Sequence, residues 1–345
     1  MRAVPETQDM DGEALSADDA WHTVRRVGLR TLLVNAFTRF RYGDGFSHAR
    51  AFALQLALAT VPLIIAGSGL AGAIGAESVA EVVARTVVAV SPGSGDQLLA
   101  DVVDRGTQAT LPAEPGEEPD DAERPGEDLS EVAVALGLAT AFFAMTSAFA
   151  QLERGANRIY GTERDRPALR KYARAAALTL TAGSALGVGL VLIIAGGPFG
   201  AALEQVYRWG DAAETAWDVV RWPVGLAALV VAVTLLFRHA PRRRQPALSW
   251  LALGATVTVL LWLAASGMVA LYVAASGDFS TTYGPLAGIM ALLLWATVTG
   301  VALLLGVAVS AQLEGLRAGI TDPLLADEDA DGIPDRLQPE PHRGG

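Results

Sequence analysis

The stretch Phe279–Leu313, FSTTYGPLAGIMALLLWATVTGVALLLGVAVSAQL, carries no Asp, Glu, Lys or Arg. A helix needs about 20 apolar residues to cross a hydrocarbon core about 30 Å thick, and this run exceeds that. Ala51–Ala76, Ala175–Leu203 and Pro246–Gly277 are equally free of charge. Leu129–Leu152 has only Glu131, and Trp222–Phe237 is a shorter run between Arg221 and Arg238, whose long side chains can reach the interface. The expected fold is all-α: a polytopic membrane protein of six spans, at about 49–76, 129–152, 172–196, 222–237, 248–272 and 284–313, within a membrane domain covering 21–316.

Composition agrees. Of 345 residues, 52% are hydrophobic and only 18% charged, where globular chains sit near a quarter charged. The net charge of −11 lacks the basic excess of a general nucleic-acid binder, so no nucleic acid is expected as a partner. With no cysteine, disulfides, thiolate catalysis and cysteine metal sites are excluded. The histidines His22, His48, His239 and His342 all lie outside the apolar runs and form no zinc motif.

Charge patterning orients the spans. Arg25–Arg41, Arg154–Arg174 and Arg238–Arg244 are basic, whereas Glu77–Asp128, Glu204–Asp218 and Asp278 are acidic. The two sets alternate, and the positive-inside rule puts the basic set and both termini in the cytoplasm. Residues 1–20 read as a disordered acidic N-terminus, 104–128 as an acidic extracytoplasmic linker, and 317–345 as a disordered acidic tail. Trp21–Phe40 mixes apolar residues with arginines, as does an amphipathic helix on the membrane surface or on the ends of the bundle. Two further short amphipathic helices are expected within 78–103.

Several sequence blocks stand out along the chain: Ala51-Phe52 with Leu58-Ala59-Thr60-Val61-Pro62-Leu63, then Ala156-Asn157-Arg158-Ile159-Tyr160, Arg166 and Arg170-Lys171-Tyr172. Further along come Arg238 with Pro241, Gly254-Ala255, Trp262, Tyr283-Gly284-Pro285-Leu286-Ala287-Gly288, Leu294-Trp295 and Leu305-Gly306. Together these blocks resemble the YihY/BrkB family of bacterial inner-membrane proteins. The resemblance implies a multi-pass protein of the bacterial cytoplasmic membrane. It brings no transport substrate with it, and the ribonuclease BN name once given to some members is regarded as mistaken. One departure stands out: where members end the last span with glycine-alanine-glutamate-x-asparagine, this chain has Gly306-Val307-Ala308-Val309-Ser310.

Candidate functional residues are few. Gln55 and Gln151 are amides inside spans, costly to hide from water and therefore suited to lining a pathway. Glu153, Asn157 and Arg158 end the second span, and Glu153 and Asn157 share a helix face. Arginines there suit an anionic solute or a lipid headgroup. Pro62 frees a backbone carbonyl in the first span, and Gly183 with Gly187 form a small-x-x-x-small pair suited to close internal helix packing. Tyr283, Gly284 and Pro285 form a turn that starts the last span. Asp327, Asp329, Asp331 and Asp335 alternate around Gly332 like the start of a calcium loop, but Gln338 stands where an EF-hand ends in glutamate. Calcium is the one cofactor this pattern suggests; otherwise none is expected.

No nucleophile–base pair or metal-ligand cluster supports catalysis, so an enzyme, and a ribonuclease above all, is not expected. Two readings remain. One is transport or handling of a small solute or lipid. The other is a non-catalytic envelope scaffold that self-associates or binds an envelope partner. Membrane lipids are partners in both.

Overall fold

The computed structural model describes residues 4–7, 15–73, 125–162, 166–190, 192–193, 211–275 and 286–325, and these are helical with short connections. Tyr283, Gly284, Pro285, the four tail aspartates and the expected helices within 78–103 lie outside the described residues, as does nearly all of the 104–128 linker.

The first helix, α1 (Ala17–Val27), starts at Ser16 with a reciprocal cap. The Asp19 amide donates to the Ser16 hydroxyl, while the Asp19 carboxylate accepts from the Ser16 amide at 3.0 Å. Gly28, at φ +88°, ends α1 and lets the chain turn directly into α2 (Leu29–Tyr42). The single helix expected over Trp21–Phe40 is therefore two. A glycine in that conformation breaks the hydrogen-bond ladder and lets the two pieces bury different faces.

Helix α3 (Gly45–Ala73) contains Pro62 in its interior. It packs along α4 (Pro125–Ile159) over much of its length. Next comes α5 (Ala168–Leu178), which passes through a π-helical turn at Thr179–Gly183 and resumes α-helical geometry to residue 190. The remaining long helices are α6 (Asp211–His239), α7 (Leu248–Ala275) and α8 (Leu286–Arg317). Consecutive long helices touch, and α8 returns to α3, which closes a ring.

Among the described residues, five helical stretches are long and apolar enough to cross a membrane: Val134–Ile159, Ala168–Leu190, Thr215–His239, Leu248–Val273 and Leu286–Arg317. The fourth expected span, 222–237, is longer than its apolar run suggests. The helix extends a further turn or more toward its N-terminus through Asp218 and Arg221, which pair at 3.5 Å. The second span likewise continues past Leu152 to Ile159.

Helix α8 has the largest buried share of the five. Its small residues explain this, because Gly300, Ala308 and Ala311 let neighbouring backbones approach. One close crossing is with α7. A Cβ on Gly306 would lie 2.8 Å from the Gly254 carbonyl oxygen, and one on Gly254 would lie 2.8 Å from the Gly306 carbonyl oxygen. The small pair chosen from the sequence behaves differently. A Cβ on Gly183 would lie a tight 3.3 Å from the Phe149 ring, but nothing lies within 4 Å of a Cβ on Gly187. Gly187 borders empty space instead of a helix contact.

Candidate functional site

The three basic segments converge at one end of the bundle, and buried polar side chains tie them together there. The end of α4 presents Glu153 and Asn157, and Tyr160 follows just beyond it, so at spacings of four and three one side carries all three. Glu153 pairs with Arg166 at 2.7 Å, and Arg166 also donates to the carbonyls of Ala240 and Pro241 at 3.0 and 2.9 Å. The Asn157 side-chain oxygen accepts from the Arg242 amide at 2.7 Å. Arg174 donates to the His239 carbonyl at 2.8 Å. The α6–α7 connection is thus held from the side of α4 and α5.

The same connection is held by α8. Arg243 pairs with the fully buried Glu314 at 2.5 Å and lies over the Tyr160 ring at 4.6 Å. The Tyr160 hydroxyl contacts Glu314 at 2.9 Å and the Gln245 side-chain oxygen at 3.2 Å. Burial, reinforced by the Glu314 charge, pushes the Tyr160 phenol well above its ordinary value, so it remains a proton donor.

Arg39 on α2 completes the network, although only 1% exposed. It donates to the Ile159 carbonyl at 2.8 Å, to the Pro5 carbonyl at 2.9 Å, to the Thr7 hydroxyl, and more distantly to the Ala311 carbonyl at 3.5 Å. Burial lowers its pKa to about 10, so the guanidinium stays charged near neutral pH. The Thr7 amide adds a bond to the Tyr160 carbonyl at 3.0 Å. Residues 4–7 therefore dock on the bundle and α1 begins at Ala17, where residues 1–20 were expected to be a disordered N-terminus. Arg39 thus ties the end of α4 and residues 5 and 7 to α2 through charged donors.

Among the described residues, side chains from α3 to α8 line an apolar cavity of about 290 Å³. Its wall includes Phe52, Phe149, Gly187, Trp262, Trp295 and Leu303. Polar side chains in the wall make their bonds within it. Thr60 donates to the Leu56 carbonyl at 2.9 Å, Thr258 to Gly254 at 3.0 Å and Thr299 to Trp295 at 2.9 Å. The Trp262 indole donates to the Thr299 hydroxyl at 3.2 Å and the Trp295 indole to Ser266 at 3.2 Å, with the two rings edge to face. Such a wall offers a guest dispersion contacts and little hydrogen bonding.

The sequence candidates fall in neither place as a group. Gln55 and Gln151 are half-buried, and neither lines the cavity. Glu153 and Asn157 are buried in the end network, while Arg158 is exposed. The proposed polar pathway along Gln55, Gln151, Glu153, Asn157 and Arg158 is thus not brought together: successive helix turns carry these residues to different surroundings. Among the described residues, no three of His, Asp and Glu lie together as metal ligands would.

Sequence reading passed over Arg39, Arg243 and Glu314 as site residues. A signal was present for two of them. Arg39 falls on the stripe Leu32, Ala36, Arg39, Phe40, and Glu314 on the stripe Val307, Ser310, Ala311, Glu314. A charge at helical spacing within an otherwise apolar stripe is a buried charge awaiting a partner.

Comparison with known proteins fits this architecture. The ribonuclease-like protein YfkH of Bacillus subtilis is 24% identical over 180 residues, which cover 52% of this chain and 65% of that protein. The chain thus spans just under two thirds of the length of that curated relative. No solved structure matches. The family model described as "Virulence factor BrkB" matches residues 36–329, which takes in α3 to α8, the cavity wall and the end network except for the N-terminal segment. On that match the chain belongs to the BrkB (YihY/BrkB) family of membrane proteins.

Proposed function

We propose that this protein handles a lipid in the bacterial cytoplasmic membrane, without enzymatic activity, by holding a hydrocarbon chain in the axial cavity. The cavity carries this reading. It lies inside a bundle of membrane-crossing helices, measures about 290 Å³, and its wall keeps its own polar groups satisfied. An acyl or isoprenyl chain needs no hydrogen bonds, whereas a polar solute entering the same space would leave its own groups unsatisfied. In this reading α3, with 29 residues and no charge after Arg50, is the sixth span. The arginine-rich end faces the cytoplasm together with both termini. The end network then seals the cytoplasmic end of the cavity by fixing the α6–α7 connection to α4 and α8. Cleavage of RNA, suggested by the relative's name, has no support in the geometry of the described residues.

The test is native mass spectrometry of the protein extracted gently from its own membrane. A lipid retained in fixed stoichiometry is expected, and Gly187→Leu, which fills the empty space beside that residue, is expected to displace it while leaving the melting temperature within a few degrees. Lipid retained equally by the wild type and Gly187→Leu, or only variable bulk lipid, overturns the reading and favours a scaffold.

A further inference from the structure

The paired helices α1 and α2 each have two faces. The inward face is filled: Ala20, Val24, Leu32, Ala36 and Phe40 belong to the main core. The outward face of α2 is also apolar, with Leu29, Leu33, Val34 and Phe37 at 39–57% exposure. A helix end-piece in water would present polar residues at those positions. Arginines stand around the apolar face, with Arg26, Arg30 and Arg41 all exposed. Arg25 lies over the exposed Trp21 ring at 5.0 Å.

The patch is continuous with the lipid-facing side of the bundle. Phe37 meets Phe46 edge to face with centroids 6.4 Å apart, and Phe46 opens α3. Exposed Leu54, Leu58 and Val61 extend that apolar face along α3. An aromatic and aliphatic face rimmed by arginine, lying where a spanning helix leaves the hydrocarbon, fits an anionic membrane surface. The apolar side chains enter the acyl boundary and the guanidinium groups meet headgroup phosphates and acidic headgroups.

We propose that α2, with Trp21 and Arg25 of α1, docks into an anionic leaflet and selects negatively charged lipid. Its buried face carries Arg39, which bonds to the end of α4 and to residues 5 and 7. Lipid docking on one side of α2 therefore bears on the sealed end of the bundle through the other. The proposal stands apart from the cavity's occupant, and Gly187→Leu is expected to leave it unchanged.

The absence of cysteine makes the test direct. Val34→Cys is labelled with an environment-sensitive nitrobenzoxadiazole dye in the full-length protein. The protein is reconstituted into vesicles of phosphatidylcholine alone and of phosphatidylcholine mixed equally with phosphatidylglycerol. The expected result is a blue-shifted emission quenched by spin-labelled lipid, with deeper quenching in the mixed vesicles. Arg26→Gln with Arg30→Gln is expected to abolish the difference between the two vesicles, and Arg26→Lys with Arg30→Lys to keep it. Emission characteristic of water in both vesicles overturns the proposal and makes the patch a protein-binding surface. Equal quenching in both, unaffected by the arginine substitutions, overturns the selection of anionic lipid.

Discussion

Tyr160 and Glu314 meet at 2.9 Å across 154 residues of sequence, joining the end of α4 to the end of α8. Each is essentially fully buried, and Arg243 contacts both. This contact closes the network that holds the α6–α7 connection.

Removing Arg243 leaves the Glu314 carboxylate buried with its main cationic partner gone. Arg243→Leu is expected to destabilise the protein by about 3–5 kcal/mol. The double variant Arg243→Leu with Glu314→Leu is expected to recover most of that loss, because no unpaired charge remains. Tyr160→Phe removes one bond to a charged acceptor and is expected to cost about 1.5–3 kcal/mol. Thermal unfolding in detergent, followed by tryptophan fluorescence, ranks the three. A double variant no more stable than Arg243→Leu would contradict the burial argument.

The α7–α8 crossing predicts a contrast between glycines. Gly306→Ala forces a methyl against the Thr258 hydroxyl and the Gly254 carbonyl, and is expected to cost about 1–3 kcal/mol by overpacking. Gly187→Ala adds a methyl where nothing lies within 4 Å and is expected to change stability little. Parallel melting curves check both, and equal losses would contradict the assigned crossing point.

Acid should loosen α1 before it loosens the bundle. Hydrogen bonds from Ser16, backbone first and hydroxyl second, hold the Asp19 carboxyl below the ordinary carboxylate range. A depressed carboxyl pKa stabilises the fold fully above the ordinary aspartate value of about 3.9. That contribution is lost as pH falls through the lower folded value. A spin label or fluorophore on α1 is expected to gain mobility in that acidic window, and Asp19→Asn is expected to remove the pH dependence while weakening the cap at all pH values. A transition of α1 that persists unchanged in Asp19→Asn would rule out this assignment.

Much of the framework was legible without coordinates. Charge-free runs longer than a bilayer's thickness have one economical structure, a helix, because backbone groups in hydrocarbon must be satisfied within their own segment. Among the described residues five such helices are present, at positions close to those expected. The fourth helix runs past its short apolar run because the Asp218–Arg221 pair, three residues apart, lies within the helix rather than ending it. Gly28 was visible in the sequence, but its break became clear only with its left-handed conformation.

The functional residues divide along the same physical line. Period and composition determined by themselves the helical class and the membrane setting, since each depends on properties summed along one segment. Only the tertiary structure decided that Arg39, Tyr160, Arg243 and Glu314 form one cluster, that Gln55 and Gln151 lie away from the cavity, and that Gly187 faces empty space rather than a neighbour. Those facts depend on how each helix is rotated about its axis. In apolar surroundings, with faces as uniform as those of α7, rotation is set by contacts between distant segments, and no local pattern records it.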